Sequence, residues 1–226
     1  MSPSPDQLIL DLPQRAALGV QDFLVSTSNQ AAADMIDRWP NWTDGAVLVV
    51  APARAGKTHL GNVWRLKTGA VALNAAQLCE ADVARAGNTF LVEDLHAGIG
   101  DERVLFHLLN LVREHGRTML LTSATAPGGL TVRLPDLRSR LRALPLVEIA
   151  PPDAALLRAV LVKQFADRQL AVEPHVIAHL VLHMEQSMAA AAALVADLDR
   201  AAMTSHRRIT RGLAGEILAR NRMKLS

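Results

Sequence analysis

The segment Ala46 to Leu60, which reads AVLVVAPARAGKTHL, constrains this chain more than any other. It begins with the apolar run Val47 to Val50, a pattern typical of a strand that is buried on both faces. A turn-like stretch follows, and Gly56-Lys57-Thr58 then opens an amphipathic run. Strand, loop, Gly-Lys-Thr and helix is the layout of a loop that cradles phosphates with backbone N–H groups and a helix N-terminus. The segment therefore predicts a nucleotide-binding site.

The residue types in this loop predict a role for each polar member. Lys57 is expected to reach the β and γ phosphate oxygens, and Thr58 to hold Mg²⁺. The residues predicted to surround the phosphates are Ala53, Arg54, Ala55, Gly56, Lys57, Thr58 and His59. Two departures weaken the expected site: Ala51 replaces the first glycine of the fingerprint, and Arg54 puts a bulky cation beside the phosphates.

A second informative stretch, TFLVEDL, covers Thr89 to Leu95. An apolar strand that ends in two carboxylates, here Glu93 and Asp94, is what a nucleotide hydrolase needs opposite its phosphate loop. One acid would orient Mg²⁺ through water, and the other would polarise the attacking water. The predicted Mg²⁺ site thus comprises Thr58, Glu93 and Asp94. The alternative is an ordinary strand end with a helix-capping aspartate.

Short apolar runs predict five strands, at residues 47–50, 70–73, 89–95, 118–122 and 146–149. Helical patterns separate them, including an Ala-rich one over Ala75 to Arg85 and a short basic one over Leu134 to Leu144. Strands that alternate with helices predict an α/β fold with a five-stranded parallel sheet, whose ligand lies at the carboxyl ends of the strands.

The pair Pro151-Pro152 marks a boundary, after which no strand pattern is found. Helical patterns cover residues 153–168, 173–184, 189–203 and 210–222, so a small all-helical domain is predicted. The predicted organisation is an extended tail over residues 1–20, an α/β domain over 21–150 and a helical domain over 151–226. His175, His179 and His183 recur at helical spacing, but they extend too far along a helix to meet one tetrahedral ion. They are interpreted as a solvated edge.

The N-terminal stretch QLILDLP, Gln7 to Pro13, has leucines at alternate positions. In an extended segment, Leu8, Leu10 and Leu12 would lie on one side. Two interpretations are open: an edge strand of the chain's own domain, or a linear peptide for a partner's groove.

Composition excludes several classes of protein. Of the 226 residues, 50% are hydrophobic, which is enough for a sizeable core, and the net charge of +2 argues neither for nor against nucleic acid. The single cysteine, Cys79, excludes an internal disulfide framework and fits a reducing compartment. Neither a secretory signal nor an apolar run long enough for a bilayer is found, so a cytoplasmic protein without a membrane partner is expected.

The order of motifs along the chain carries a family resemblance. Gly56 to Leu60 (GKTHL), Glu93-Asp94, the LTS tip of the fourth strand, Leu137 to Leu141 (LRSRL) and Pro151 to Asp153 (PPD) follow one another. This order resembles the AAA+ domain of DnaA-type replication initiators over essentially the whole chain. The resemblance implies an AAA+ P-loop NTPase fold with a helical lid, and ADP or ATP with Mg²⁺ as the bound cofactor. The initiators' helix-turn-helix domain is not expected here, because the sequence ends after the predicted lid.

A lone module of this kind behind a Gln-Leu-x-Leu tail resembles the Hda family of DnaA regulators, including its alphaproteobacterial form. The resemblance implies two partners, DnaA and the β sliding clamp of DNA polymerase III, and negative regulation of replication initiation through ATP hydrolysis by DnaA. It leaves self-association and direct contact with DNA open. Clamp binding would fall to the tail residues Gln7, Leu8, Leu10 and Leu12.

By the same resemblance, Arg140 matches an arginine finger that would act in trans on ATP held by DnaA. The alternative is that Arg140 pairs with an acid of its own domain, such as Asp136. Ala124 stands where DnaA has an acidic sensor, and the sensor arginine of the lid falls near Ala189. The chain is therefore not expected to hydrolyse ATP by itself. A working P-loop ATPase or small-molecule kinase, and a pure adaptor with a vestigial nucleotide site, are the other two hypotheses.

Overall fold

The computed structural model describes residues 23–84, 87–205 and 208–223. The predictions for the tail, Gln7, Leu8, Leu10 and Leu12 among them, lie outside the described residues. The elements of the first part of the chain are α1 (Gln30–Asp37), β1 (Ala46–Val50), α2 (Lys57–Thr68), β2 (Val71–Asn74), α3 (Glu80–Ala84), β3 (Thr89–Glu93), α4 (Glu102–His115), β4 (Thr118–Ser123), α5 (Pro135–Ala143) and β5 (Leu146–Glu148).

The five strands form one parallel sheet in the order β2-β3-β4-β1-β5, which confirms the predicted fold class. β1 and β4 lie side by side near the centre and are buried along their whole length, as expected for apolar runs covered on both faces. The outer strands β2 and β5 are only partly buried. The loop between β1 and α2, residues 51–56, is called the phosphate loop below. It follows the carboxyl end of β1, so it lies at the edge of the sheet where β3 and β4 also end.

Each face of the sheet is covered by its own apolar layer. Trp64 of α2 stacks on Trp42 with ring centroids 5.5 Å apart, on the face that α1 and α2 cover. On the other face, α4 buries Leu105 and Leu108, and Asp101 caps this helix by accepting hydrogen bonds from Arg103 N and Val104 N.

The predicted helix over Ala75 to Arg85 is wrong. The described part is a 3₁₀ turn, Ala75–Gln77, followed by a break and the short helix α3. Asn74 begins the turn by accepting a hydrogen bond from Ala76 N, and Leu78 then takes an extended conformation that buries its side chain to 3% exposure. Burial of a leucine has outweighed the helix propensity of the alanines.

The second part of the chain holds α6 (Ala154–Asp167), α7 (Pro174–His183), α8 (Met188–Ser205) and α9 (Arg211–Met223), which pack around a separate apolar cluster. Asp153 joins the two parts: it caps α6 by accepting from Leu156 N and also accepts from Thr27 Oγ1. Burial alone would raise the pKa of Asp153. The hydrogen bonds that its carboxylate accepts from Leu156, Thr27, Ser26 and Ser28 outweigh burial and lower the pKa. None of the described helices is long and apolar enough to cross a membrane.

Candidate nucleotide site and its surroundings

The phosphate loop ends in a helix start that is open to an anion. Gly56 is the N-cap of α2 with φ of 106°, and a Cβ atom there would meet nothing within 4 Å. No side chain caps this helix, so the N–H groups of Lys57, Thr58 and His59 have no intrahelical acceptor. The first turn of α2 can therefore donate to phosphate oxygens.

Lys57 is buried at the base of this loop, with 7% of its surface exposed. Its Nζ donates to the carbonyl oxygens of Ala51 and Pro52, at 2.8 and 3.0 Å. Burial lowers the pKa of Lys57, and the charge of Asp94 opposes that shift. The ammonium is thus hydrogen-bonded to its own loop, and the charge of Asp94 acts on it electrostatically.

Arg54 connects the phosphate loop to the helical part of the chain, a contact that sequence reasoning missed. Its backbone is left-handed, with φ of 64°, and its Nη1 lies 3.3 Å from Oε1 of Glu185. Its carbonyl oxygen accepts from Met188 N at 3.3 Å. The two contacts fasten the stretch from Glu185 to Met188, which leads from α7 into α8, to the loop. No local pattern marks Glu185, which is 131 positions away in sequence.

Glu93 and Asp94 lie beside the loop, at the carboxyl end of β3. Burial and the neighbouring Asp94 carboxylate raise the pKa of Glu93, while Arg65 lowers it. Asp94 begins a 3₁₀ turn in a left-handed conformation, with φ of 61°, yet its side chain makes no capping hydrogen bond. Two adjacent carboxylates at the end of one strand are suited to a divalent cation. No cluster of three histidine, cysteine or acidic side chains that could hold a metal is found in the described residues.

Mg²⁺ nevertheless fits the donor set that the sequence predicted. It usually takes one or two carboxylates and completes its shell with water and phosphate oxygens. Glu93, Asp94 and the exposed Thr58 hydroxyl are oxygen donors of that kind. A bound Mg²⁺ would neutralise charge on the phosphates and on the two acids.

The tip of β4 uses its polar groups internally. Thr122 Oγ1 accepts from Asp94 N at 3.1 Å, and Ser123 Oγ donates to Thr125 O at 2.7 Å. Ala124 has only its backbone to offer, and its N–H donates to Nδ1 of His96 at 3.1 Å. His96 therefore occupies the neighbourhood of the expected sensor position. The sequence reasoning did not single it out.

Next to the loop, the protein has a small cavity and an open cleft that adjoins it. Phe23 stacks on His59 with ring centroids 5.5 Å apart, and the cavity that they line with Val160 and Met188 has a volume of about 20 Å³. That is room for one water molecule. An adjoining open cleft of about 410 Å³, lined by Leu24, His59, Val160, Lys163, Gln164, Asp167, Met188 and Ala189, is of ligand size.

Arg140 lies at the opposite edge of the sheet. It lines a cleft of about 470 Å³ together with Gly45, Ala46 and Thr118, which precede or begin β1 and β4. The phosphate loop follows the other end of β1, whose five residues correspond to roughly 16 Å. The guanidinium of Arg140 thus faces away from the phosphate site of its own chain.

The predicted alternative for Arg140, an ion pair with an acid of its own domain such as Asp136, is wrong for the described residues. Within the described ranges Arg140 has no acidic group within ion-pair distance. Its Nη2 donates to Oδ1 of Asn110 at 3.3 Å instead, and its guanidinium carbon lies 6.0 Å from the centre of the Phe106 ring. Arg140 thus contacts two side chains of α4 instead of pairing with an acid on its own helix, α5.

The three histidines of α7 do not converge. His175 lies 3.1 Å from a carboxylate oxygen of Glu173 and is largely exposed, whereas His179 and His183 meet edge to face with ring centroids 4.4 Å apart. Burial, with His183 and Arg211 nearby, lowers the pKa of His179. His179 is half-buried, so the predicted solvated edge describes its neighbours better than it describes His179.

Known proteins resemble this chain in sequence and in fold. No protein-family model matches the chain. The chain is 29% identical over 181 residues to the chromosomal replication initiator protein DnaA of Caulobacter sp. (strain K31), and the alignment covers 67% of this chain and 37% of that protein. The chain thus matches little more than a third of its relative.

Solved structures extend the likeness over more of the chain. Domain III of the Thermotoga maritima replication initiation protein DnaA superposes with a TM-score of 0.76 at 15% identity, covering 92% of this chain and 97% of that one. The chain has the DnaA-like AAA+ fold. AMPPCP-bound DnaA from Aquifex aeolicus gives a TM-score of 0.66 at 20% identity, covering 83% of this chain and 66% of that one. The predicted AAA+ P-loop architecture and the DnaA-like resemblance are confirmed.

Proposed function

We propose that this DnaA-like protein is a regulator of the Hda type, which binds the β sliding clamp through its tail and promotes ATP hydrolysis by DnaA. The consequence would be negative regulation of chromosome replication initiation. One observation carries the proposal: Arg140 lies on the edge of the sheet remote from its own phosphate loop and has no acid partner in the described parts of the chain. A cation so placed can serve the phosphates of a neighbouring molecule but not its own.

The chemistry expected of Arg140 follows from its planar guanidinium, which can meet two phosphate oxygens at once. In a phosphoryl transfer such a group stabilises the charge that develops in the transition state. DnaA is the proposed partner because the chain resembles it in sequence and fold. The clamp would hold both proteins near the replicated DNA.

The chain's own nucleotide site is proposed to bind ADP or ATP with Mg²⁺ weakly and to lack turnover. Lys57, the open start of α2 and the two acids support binding. Ala124 and Ala189 supply no side-chain group to read a γ-phosphate. A second candidate, an adaptor whose site holds no nucleotide, is favoured by the closed cavity beside the loop. Equilibrium binding of a fluorescent ADP derivative separates the two, since an adaptor should show none.

Hydrolysis of labelled ATP on DnaA, in the presence of DNA-loaded clamp, tests the main proposal. Parent protein should accelerate phosphate release, and Arg140→Ala should reduce that stimulation by about 10³-fold or more. Arg140→Lys should recover little, because an ammonium lacks the planar fork. Arg142→Ala, which removes an exposed arginine two positions away, is the matched control and should remain active.

Two further measurements serve as controls for this experiment. Melting temperature and clamp binding of Arg140→Ala should equal those of the parent, which separates loss of the guanidinium from loss of the fold. The chain incubated with ATP alone should give no turnover above background. Full stimulation of DnaA by Arg140→Ala would refute the proposed role.

A further inference from the structure

The open cleft of about 410 Å³ lies beside the start of α2 and along one face of α6. Its lining residues on α6 are Val160, Lys163, Gln164 and Asp167, which follow helical spacing and therefore share a face. His59, in the first turn of α2, also lines the cleft. Because the N–H groups of that turn can donate to phosphates, a ligand held there by its phosphates can extend into the cleft.

One polar side chain of the cleft has an unmet hydrogen bond. Oε1 of Gln164 is buried and has no hydrogen-bond partner. The neighbouring charges differ in this respect, because Nζ of Lys163 lies 2.7 Å from Oδ2 of Asp167. A buried acceptor without a donor costs free energy, and the group that supplies the donor recovers it. Gln164 is thus ready to accept a hydrogen bond from a bound molecule.

The rest of the cleft is suited to an apolar, flat ligand. Four of its lining residues have apolar side chains: Leu24, Val160, Met188 and Ala189. Apolar walls with few polar groups are typical of small-molecule sites, where the polar groups fix the orientation of the ligand. A nucleobase has apolar faces and a polar edge, so its faces would pack on these walls and its edge would meet Gln164.

The amide of Gln164 matches some bases better than others. Adenine carries an amino donor at C6 beside the ring acceptors N1 and N7, and an amide can accept from the first and donate to the second. Cytosine offers the same pattern through its 4-amino group and N3. Purine riboside lacks the amino group and keeps the ring nitrogens, so Oε1 of Gln164 would stay without a donor.

We propose that Gln164 is a base-reading residue, whose Oε1 accepts a hydrogen bond from the 6-amino group of an adenine bound in the cleft. This inference rests on the proposed function, since it names the base of the nucleotide whose phosphates would lie at the start of α2. Oε1 is already shielded from water in the protein alone, so the hydrogen bond requires no further desolvation of the acceptor. The amino group therefore adds directly to the affinity.

The test is a competition titration of the intact chain against an ADP derivative that carries a fluorophore on its ribose. The competitors are ADP, purine riboside 5′-diphosphate and CDP. Parent protein should bind ADP about tenfold more tightly than purine riboside 5′-diphosphate. Gln164→Leu should bring this ratio close to about one, mainly by weakening ADP. Gln77→Leu, the same exchange at an exposed position, is the matched control and should keep the ratio of the parent.

Melting curves separate the loss of the amide from the loss of the fold. Without nucleotide, Gln164→Leu should melt at the temperature of the parent or above it, because the exchange removes a buried acceptor that has no partner. Added ADP should raise the melting temperature of the parent more than that of the variant. Should Gln164→Leu melt early, the preference of the parent for ADP over purine riboside 5′-diphosphate carries the test.

The outcomes separate this inference from the function on which it rests. If the parent binds no nucleotide, the proposed nucleotide site fails and the inference fails with it, whatever the effect of the chain on DnaA. If the parent binds ADP and purine riboside 5′-diphosphate equally, only the reading of the base is overturned. A preference for ADP that persists in Gln164→Leu would overturn the role of Gln164. Equal binding of CDP and ADP would overturn the choice of adenine.

Discussion

Three residues other than glycine adopt a left-handed backbone in the described chain: Arg54, Asp94 and Gln169. For residues with a Cβ atom this conformation costs about 1–2 kcal/mol. Arg54 and Asp94 lie in the candidate site, where the phosphate loop and the end of β3 must turn sharply. Gln169 lies outside that site, at the end of α6. Its conformation serves the helix terminus alone, so its cost can be removed without touching the candidate site.

Gln169→Gly should stabilise the protein by about 0.5–1 kcal/mol, because glycine adopts this conformation without a clash but loses more chain entropy on folding. The main-chain hydrogen bonds that end α6, from Gln169 N to Ala166 O and from Leu170 N to Phe165 O, would be kept. A melting experiment should show a rise of about 1–4 °C. Arg168→Gly, one position earlier where φ is −94°, is the control and should not stabilise.

Glu93 offers a prediction that depends on pH. Because burial and Asp94 raise its folded-state pKa above the ordinary value, ionised Glu93 destabilises the fold at neutral pH. Glu93→Gln should therefore raise the melting temperature near about pH 7.5. The gain should shrink as pH falls through the folded-state pKa, because the parent is then protonated as well.

Melting curves of parent and variant across this pH range check the sign of the effect. Glu148→Gln, the same exchange at an exposed position on β5, should show no such pH-dependent gain. A Glu93→Gln protein that is less stable than parent at neutral pH would contradict the electrostatic origin of the shift.

At the residue scale, sequence reasoning found groups whose chemistry is local and missed groups whose partners are distant. Lys57, Glu93 and Asp94 follow from short motifs with a fixed order of strand, loop and helix. The pairing of Arg54 with Glu185 joins positions 131 apart, and that of Arg140 with Asn110 joins positions 30 apart. Neither pair leaves a periodic pattern in the sequence, so only the packed structure reveals it.

At the scale of elements, the stretch from Glu185 to Met188, which leads from α7 into α8, contacts the phosphate loop directly. It reaches Arg54 through the Glu185 carboxylate and through Met188 N. The ion pair is about half exposed, with 55% and 45% of the two side chains accessible, so it contributes at most about 1 kcal/mol. Its position matters more than its strength, because a phosphate in the loop would compete with Glu185 for the same guanidinium.

Glu185→Gln should therefore tighten nucleotide binding by about 1.5- to 5-fold, the equivalent of a pair worth about 0.2–1 kcal/mol. Titration with fluorescent ADP at low salt measures this change, and added salt should reduce it. Asp199→Asn, which removes the acid facing Arg168 in the helical part alone, is the control and should leave affinity unaltered. Equal affinity of Glu185→Gln and parent would show that Arg54 does not exchange partners.

The elements themselves were predictable where burial and periodicity agree. Val47 to Val50 and Thr118 to Thr122 are apolar runs too short for helices, and both are central strands. α4 likewise has its buried apolar positions on one face. The predicted helix beginning at Ala75 failed because the helix propensity of its alanines is outweighed by the burial of an apolar side chain. The burial of Leu78 decided the path of the chain.

At the scale of the whole molecule, the two charged sites lie at opposite edges of one sheet. The phosphate loop and the acids occupy the carboxyl edge, and Arg140 lies near the starts of β1 and β4. A molecule built in this way can bind one nucleotide and face another at the same time. Contact with a partner's nucleotide requires that the partner be brought close, which the proposed function assigns to the N-terminal tail and the clamp.

The tail prediction rests on the alternating leucines of residues 7–12 and on the Gln-Leu-x-Leu resemblance. Replacing Leu10 and Leu12 by alanine should remove two side chains from an apolar groove, each contributing about 1.5–3 kcal/mol when buried. Binding to immobilised β clamp should weaken at least about tenfold, and stimulation of DnaA at the clamp should fall with it. Leu18→Ala, which removes a leucine of the same region outside the motif, should bind as parent. Unchanged clamp affinity of the Leu10→Ala, Leu12→Ala double variant would contradict clamp binding by these leucines. Loss of affinity with an unchanged melting temperature would place the clamp contact in the tail.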